Sequence, residues 1–316
     1  MAGISFFMSG SFKKGISLAL VTALVSGISI FINKFAVTAI KQSLVFTSIK
    51  NTGVAILIIG ILIISGRWRQ LKNLSPREFI FLTLIGIIGG SVPFYLFFTG
   101  LSMIPAINGA IIHKTLVIWV AILAIPFLKE KLSRGSAIAV MLLFGANMLV
   151  GGFSGFRFSQ GEGLVLLATL FWSVETILAK KILPSVDPDL LTAARMGFGA
   201  IILLTMSAIW QPQALSKSLM LNSSQWFWLS LTIISLLAYV TSWYRALKFA
   251  PATTVTSVLV ASTIVTNILS AVFITHTINS LLVTQSVLII AGIVVLIRME
   301  AKVALNRFQN LTGPVV

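Results

Sequence analysis

Residues 95–133 read YLFFTGLSMIPAINGAIIHKTLVIWVAILAIPFLKEKLS, and this stretch decides the fold class. Between Pro105 and Phe127 the only ionisable side chains are His113 and Lys114, and the run stops at Lys129, Glu130 and Lys131. About 20 consecutive apolar residues are what an α-helix needs to cross a bilayer core. Such a helix also bonds its own backbone, which lipid cannot do. A membrane β-barrel would instead alternate apolar and polar residues over segments of about ten.

The rest of the chain repeats this pattern. Of 316 residues, 57% are hydrophobic and 9% charged, with mean hydropathy +1.04. A soluble domain carries about a quarter charged residues, so the soluble classes are excluded. Apolar runs separated by charged or Pro/Gly-bearing breaks predict spans at 15–33, 43–65, 79–100, 105–127, 135–152, 163–183, 188–210, 225–247, 251–275 and 280–298. The expected fold is an all-α integral membrane protein of ten transmembrane helices.

The net charge of +16 comes from 23 Lys and Arg against 7 Asp and Glu. On a soluble protein this would suggest nucleic acid, but no basic motif interleaved with aromatics is present. Orientation explains it, because cytoplasmic loops collect Lys and Arg. With the N-terminus inside, sixteen basic residues fall on the inner side, among them Lys13, Lys14, Arg67, Arg69, Lys72 and Arg77. Four fall outside (Lys34, Lys41, Arg157, Lys217), and Lys50, Lys114 and Arg195 lie within spans. A multi-pass protein of the cell membrane with both termini cytoplasmic is expected. The opening MAGISFFMSGSFKKG places its basic pair after a short apolar run, the reverse of a signal peptide, so the first span is expected to be retained. Trp68, Trp210, Trp226 and Trp228 stand at span ends as an interfacial belt. The chain has no Cys, which removes disulfides, thiolate chemistry and Cys-ligated metals together.

The two halves resemble each other at an offset near 146 residues. GLSMIPA ending at Ala106 aligns with ALKFAPA ending at Ala252, TSIKNTGVAI (47–56) with TAARMGFGAI (192–201), and Gly145 with Gly292. Pro105 thereby matches Pro251, and Lys50 matches Arg195. Five spans per half is an odd number, so the halves would be two inverted five-helix repeats, 12–152 and 161–298, followed by a cytoplasmic tail, 299–316. Inverted repeats are typical of secondary transporters.

The YLFFTGLSMIPA stretch from Tyr95, the FLKEKLS run holding Glu130 and the GEGLVLLATLFWSVETILAKK segment opening the second half resemble the drug/metabolite transporter superfamily, the ten-helix group with paired EamA domains. The resemblance implies a transporter of small organic molecules and covers residues 12–298. The second half departs from it at FITHTIN, where His276 stands in place of Glu130.

Ionisable groups at membrane depth cost several kcal/mol and are functional candidates by default. Lys50 and Arg195 fall about two turns into spans two and seven from opposite sides, placed to attract an anionic substrate at each entrance; the plain alternative is snorkelling to headgroups. Lys114 and Glu175 count to mid-membrane. Glu175 is either a proton-coupling group or the fixed partner of Lys114. His113 is a hydrogen-bonding or protonation partner but has no ligand-spaced neighbour, so no metal site is expected. Span nine carries a hydroxyl stripe (Thr253, Thr256, Thr263, Thr266, Ser270) with Asn267 as its cavity candidate. Tyr95, Trp172, Trp243 and Tyr244 are candidate apolar walls for an organic substrate. Pro93 is expected to kink span three and free a carbonyl.

The expected function is a secondary transporter, exporter or exchanger, of amino acids or other carboxylate-bearing metabolites. Nucleotide-sugar or sugar-phosphate exchange, and carriage of hydrophobic compounds or lipids, are the alternatives. No GxxxxGK[ST] loop is present, so ATP would not drive transport directly. A membrane-embedded enzyme would need paired carboxylates or a His cluster, and Asp187 and Asp189 instead open span seven. No cofactor is expected. The partners are the substrate and the lipid bilayer, with the protein a monomer or homodimer.

Overall fold

The computed structural model describes residues 10–39, 42–149 and 155–312. Readings that fall on 1–9, on Lys41, on the last residues of span five (150–152) and on the end of the tail (313–316) lie outside the described residues. The elements are α1 (Gly10–Ala39), α2 (Ser43–Ile64), α3 (Pro76–Gly90), α4 (Val92–Leu101), α5 (Ala106–Lys114), α6 (Leu116–Leu128), α7 (Arg134–Met148), α8 (Gln160–Ile182), α9 (Pro188–Trp210), the short α10 (Pro212–Lys217), α11 (Ser223–Phe249), α12 (Ala252–Leu259), α13 (Ser262–Ser270) and α14 (Ser280–Thr312). One 3-10 turn, Arg67–Asn73, joins α2 to α3, and no strand occurs among the described residues.

Nine of these segments are long and apolar enough to cross a membrane, counting α3 with α4, α5 with α6, and α12 with α13 as single crossings. The expected fifth span is the 15-residue helix α7. Burial follows the logic of a bundle in lipid. Ile56, Ile63, Ile64, Ile201 and Val287 are exposed, while Thr22, Ser48, Asn51, Glu175 and Arg195 are buried. Hydrocarbon offers no polar partners, so polar groups turn inward and bond to one another. Between α2 and α9, for example, Ser48 Oγ lies 2.7 Å from Ser207 Oγ and donates to Leu203 O at 3.0 Å.

Helix starts are set by side chains that cap free backbone N–H groups. Ser75 and Glu78 form a reciprocal capping box on α3, Ser159 and Glu162 on α8, and Asn222 and Gln225 on α11. Asp187 caps α9. Ser133 caps α7 through Ser136 N (3.0 Å), and Asn279 caps α14 through Leu282 N (2.8 Å).

Three crossings are broken. Pro105 and Pro251 are the N-caps of α5 and α12, and those helices break again at Thr115 and at Val260–Ala261. The third crossing breaks at Ser91 (φ −133°, ψ −73°), two residues before the buried Pro93. Its close approach to α9 needs glycine on both sides. A Cβ at Gly90 would run into Arg195 O, and one at Gly199 would lie 2.5 Å from Gly90 O.

In the packing, α1 lies against α11, α12 and α13, and α8 lies against α3, α4, α5 and α6. Helix α2 pairs with α9, and α7 with α14.

Candidate functional site

Pro93 organises the centre of the molecule. It has no N–H to give the carbonyl four residues before it, so Gly89 O is left free inside the bundle. Trp172 Nε1 donates to that oxygen at 3.1 Å and Arg195 Nε at 3.3 Å. The adjacent Gly90 O accepts from Asn51 Nδ2 at 3.2 Å. One break in α3/α4 thus ties α2, α8 and α9 to a single point. The same arginine lies with Glu175 and Tyr244: Tyr244 OH donates to Glu175 Oε1, and Arg195 Nη1 donates to Tyr244 OH at 3.4 Å.

Beside this cluster is a cavity of about 900 Å³. Eight of the ten candidates from the sequence line it: Lys50, His113, Lys114, Trp172, Glu175, Arg195, Trp243 and Asn267. The other two stand elsewhere. Tyr244 is fully buried behind the wall, where it holds Glu175. Tyr95 lines a separate pocket of about 400 Å³ and packs on Trp210 with ring centroids 5.0 Å apart, because α4 turns that face toward the end of α9.

The two cavity lysines are held by neutral groups. Lys50, 5% exposed, donates to Asn33 Oδ1 at 3.4 Å and sits over the Phe46 ring at 4.9 Å. It is therefore packed in the bundle. Lys114 donates to Ser262 Oγ at 3.3 Å. The expected Lys114–Glu175 pair is not formed: Glu175 is engaged by Tyr244 beside Arg195 of α9, while Lys114 is held by Ser262. Arg195 consequently has a counter-charge that the sequence reading did not give it.

Aromatic rings form one wall. Phe97, His113 and Trp172 make a closed set with centroid separations of 5.0–5.5 Å, and Phe94 adds an edge contact to Trp172 at 5.3 Å. His113 Nδ1 is buried and has no hydrogen-bond partner. On the opposite wall the hydroxyl stripe is partly spent on packing. Thr263 Oγ1 donates to Asn147 Oδ1 (3.0 Å), Thr266 Oγ1 to Gly27 O (3.0 Å), and Asn267 Nδ2 to Gln285 Oε1 (2.8 Å).

The two ends of the cavity differ. At one end its lining includes the exposed Lys34 and Ser102, from the end of α1 and just past α4, so it opens there. The other end, where Asp189 brings Arg67 and Arg245 together, is tied shut. Asp189 pairs with Arg67 and with Arg245 (2.8 Å), and Gln70 Nε2 donates to Ser185 O (3.1 Å). Glu130 accepts from Ala252 N (2.7 Å), Thr253 N (3.2 Å) and Thr253 Oγ1 (2.8 Å), and so caps α12. Lys180 Nζ donates to Leu247 O (2.5 Å) and Ala250 O (2.7 Å). Sequence reasoning missed Asn33, Ser262, Lys180 and the pairing role of Asp189. For Lys180 a signal existed, since Pro251 leaves the carbonyl of Leu247 without a donor.

This helix order, with a largely apolar cavity that carries a few charged side chains, can be set beside what comparison with known proteins finds. The EamA-like transporter family matches residues 13–152 and again residues 159–298. The chain belongs to that family. Among relatives, an uncharacterised transporter of Archaeoglobus fulgidus is 26% identical over 195 residues, covering 59% of this chain and 65% of the relative. One from Methanothermobacter thermautotrophicus is 25% identical over 143 residues (43% and 42%), and the uncharacterised transporter YyaM of Bacillus subtilis is 24% identical over 159 residues (48% and 51%). The chain thus spans less than two thirds of the length of these relatives. A solved crystal structure superposes with TM-score 0.74 at 13% identity, covering 91% of this chain and 97% of the other, which is a likeness of fold. The protein is a multi-pass membrane protein of the EamA-like family.

Proposed function

We propose that this EamA-like protein is a secondary transporter, an exporter or exchanger, of a small organic metabolite bearing a carboxylate or comparable anionic group. The observation that carries this reading is the pair Lys50 and Lys114 on the wall of one cavity, each held by a neutral partner. A cation in a low-dielectric site with no counter-charge attracts an anion far more strongly than it would in water. Arg195 and Glu175 offset each other beside them, leaving the lysines as the excess charge. A cavity of this size is in the range of small-molecule sites, and its aromatic wall suits an organic body.

Alternating access between two inverted five-helix halves is the mechanism we infer. Its support is the packing pattern. Moving each crossing on by five turns the contact of α1 with α11 into that of α8 with α3 and α4, and the contact of α1 with α12 and α13 into that of α8 with α5 and α6. The pairs α2–α9 and α7–α14 map onto themselves. An odd number of crossings per half then requires opposite orientation. On the positive-inside rule the tied end faces the cytoplasm, both termini lie there, and the membrane is the cell membrane. Glu175 is the one carboxylate on the cavity lining among the described residues, which makes it the proton-coupling candidate.

A thermal-stability panel in detergent tests the substrate class. Ligands that bind only the folded protein raise its melting temperature with concentration. Amino acids, dicarboxylates or sugar phosphates should stabilise the native protein, and Lys50→Gln and Lys114→Gln should lose that effect. Stabilisation by neutral or cationic compounds alone would overturn the anion reading.

A further inference from the structure

The shut end of the cavity explains a residue at its open end. A helix carbonyl normally accepts from the N–H four residues on, so Pro251 leaves Leu247 O without a donor. Lys180 fills that position and also bonds Ala250 O, fastening the end of α11 beside the start of α12. Each member of this arrangement has a counterpart 146 residues earlier. Pro251 corresponds to Pro105, Leu247 to Leu101, Ala250 to Ile104, and Lys180 to Lys34. Pro105, the N-cap of α5, deprives Leu101 O of its donor in the same way. Lys34 stands exposed at the mouth, on the cavity lining, and among the described residues no hydrogen bond or ion pair holds it.

We propose that Lys34 is the positioning residue that shuts the open mouth. In the opposite state of the cycle it donates to the carbonyls of Leu101 and Ile104, as Lys180 now does to those of Leu247 and Ala250. This rests on the alternating-access reading above. The match stops at one point: Glu130, which caps α12 at the shut end, corresponds to His276, and a histidine offers no carboxylate to the start of α5. Lys34 is thus the single charged fastening that the repeat provides at the mouth, against Lys180, Glu130 and Asp189 at the other end.

The chain lacks Cys, so one introduced thiol reports access without a background. Ser26→Cys places it on the cavity lining. A membrane-impermeant maleimide applied from the mouth side should label this reporter readily in otherwise native protein. Adding Lys180→Gln loosens the shut end and should slow labelling about tenfold, as the population moves to the state closed at the mouth. Adding Lys34→Gln to that background should restore the original rate, whereas Lys34→Arg should leave it slow. A Lys180→Gln/Lys34→Gln protein that labels as slowly as Lys180→Gln alone overturns the role of Lys34 and leaves alternating access standing. Labelling unchanged by Lys180→Gln, from either side, overturns both.

Discussion

At the scale of single residues, the centre of the site is decided by which charges have counter-charges. Lys50 and Lys114 have Asn33 and Ser262; Arg195 has Glu175 beside it, with Tyr244 between. Replacing either lysine by Gln removes the charge and leaves a shorter neutral amide beside its neutral partner. Folding should survive, and the affinity for an anionic substrate should fall about tenfold, since a hydrogen bond to a charged group is worth about 1.5–3 kcal/mol. Competition of unlabelled against labelled substrate in counterflow measures this, and unchanged affinity in both variants would contradict it. Arg195→Gln is expected to behave differently. It leaves Glu175 buried without its cation and takes one of two donors from Gly89 O, a loss of about 3 kcal/mol on the usual scale for a broken buried pair. A melting temperature close to that of native protein would refute the pairing. The sequence identified these ionisable residues because charge inside an apolar run is conspicuous. It did not identify their partners, because Asn33, Ser262 and Tyr244 reach the site only by the packing of separate helices.

At the scale of elements, the interior of each crossing was legible and its ends and breaks were less so. The expected span 188–210 coincides with α9 because Asp187 and Pro188 mark its start in the sequence. The expected spans 163–183 and 225–247 begin a few residues late. The polar capping residues Ser159 and Asn222 lie outside the apolar run and start α8 and α11 earlier. The breaks at Thr115 and Val260 carry no Pro or Gly and were not legible, whereas Pro93 announced the break at Ser91. Pro93→Ala tests what that break does. A new N–H at position 93 can satisfy Gly89 O within α3/α4, in competition with Trp172 and Arg195. Helical content should stay the same while transport falls at least tenfold, because the anchor joining three crossings is weakened; native transport rates would contradict this. Gly199→Leu probes the neighbouring contact, where the added side chain meets the Gly90 backbone. Overpacking of this kind costs about 1–3 kcal/mol or more, and a lowered melting temperature is the expected result.

At the scale of the whole molecule, the proposed alternating access makes the ties that hold the two halves together at one end, and the cavity mouth at the other, features of one of two states. The membrane class and the repeat offset could be read from composition and register alone. The cavity could not, since it is lined by residues of nine crossings, from α1 to α12/α13, that meet only in the fold. Which end is shut depends on Asp189, Glu130 and Lys180, three residues outside or at the edge of the apolar runs where the search for buried charge was concentrated. Asp189→Asn removes the charge that holds Arg67 and Arg245. Both arginines are about half exposed, so the stability loss should be modest, about 1 kcal/mol. Its larger consequence should be greater access to the cavity from the basic side, measured by labelling Ser26→Cys from that side.

The central claim is that this protein exchanges anionic metabolites across the membrane, and counterflow in proteoliposomes tests it most directly. Purified protein is reconstituted, vesicles are loaded with unlabelled amino acids, organic acids or sugar phosphates, and uptake of the labelled compound is followed without any other gradient. Transient accumulation of one anion-bearing class above protein-free vesicles, abolished by Lys50→Gln together with Lys114→Gln, is the predicted result. Folded protein that gives no accumulation of any anionic class, or that accumulates only neutral or cationic compounds, would contradict the account.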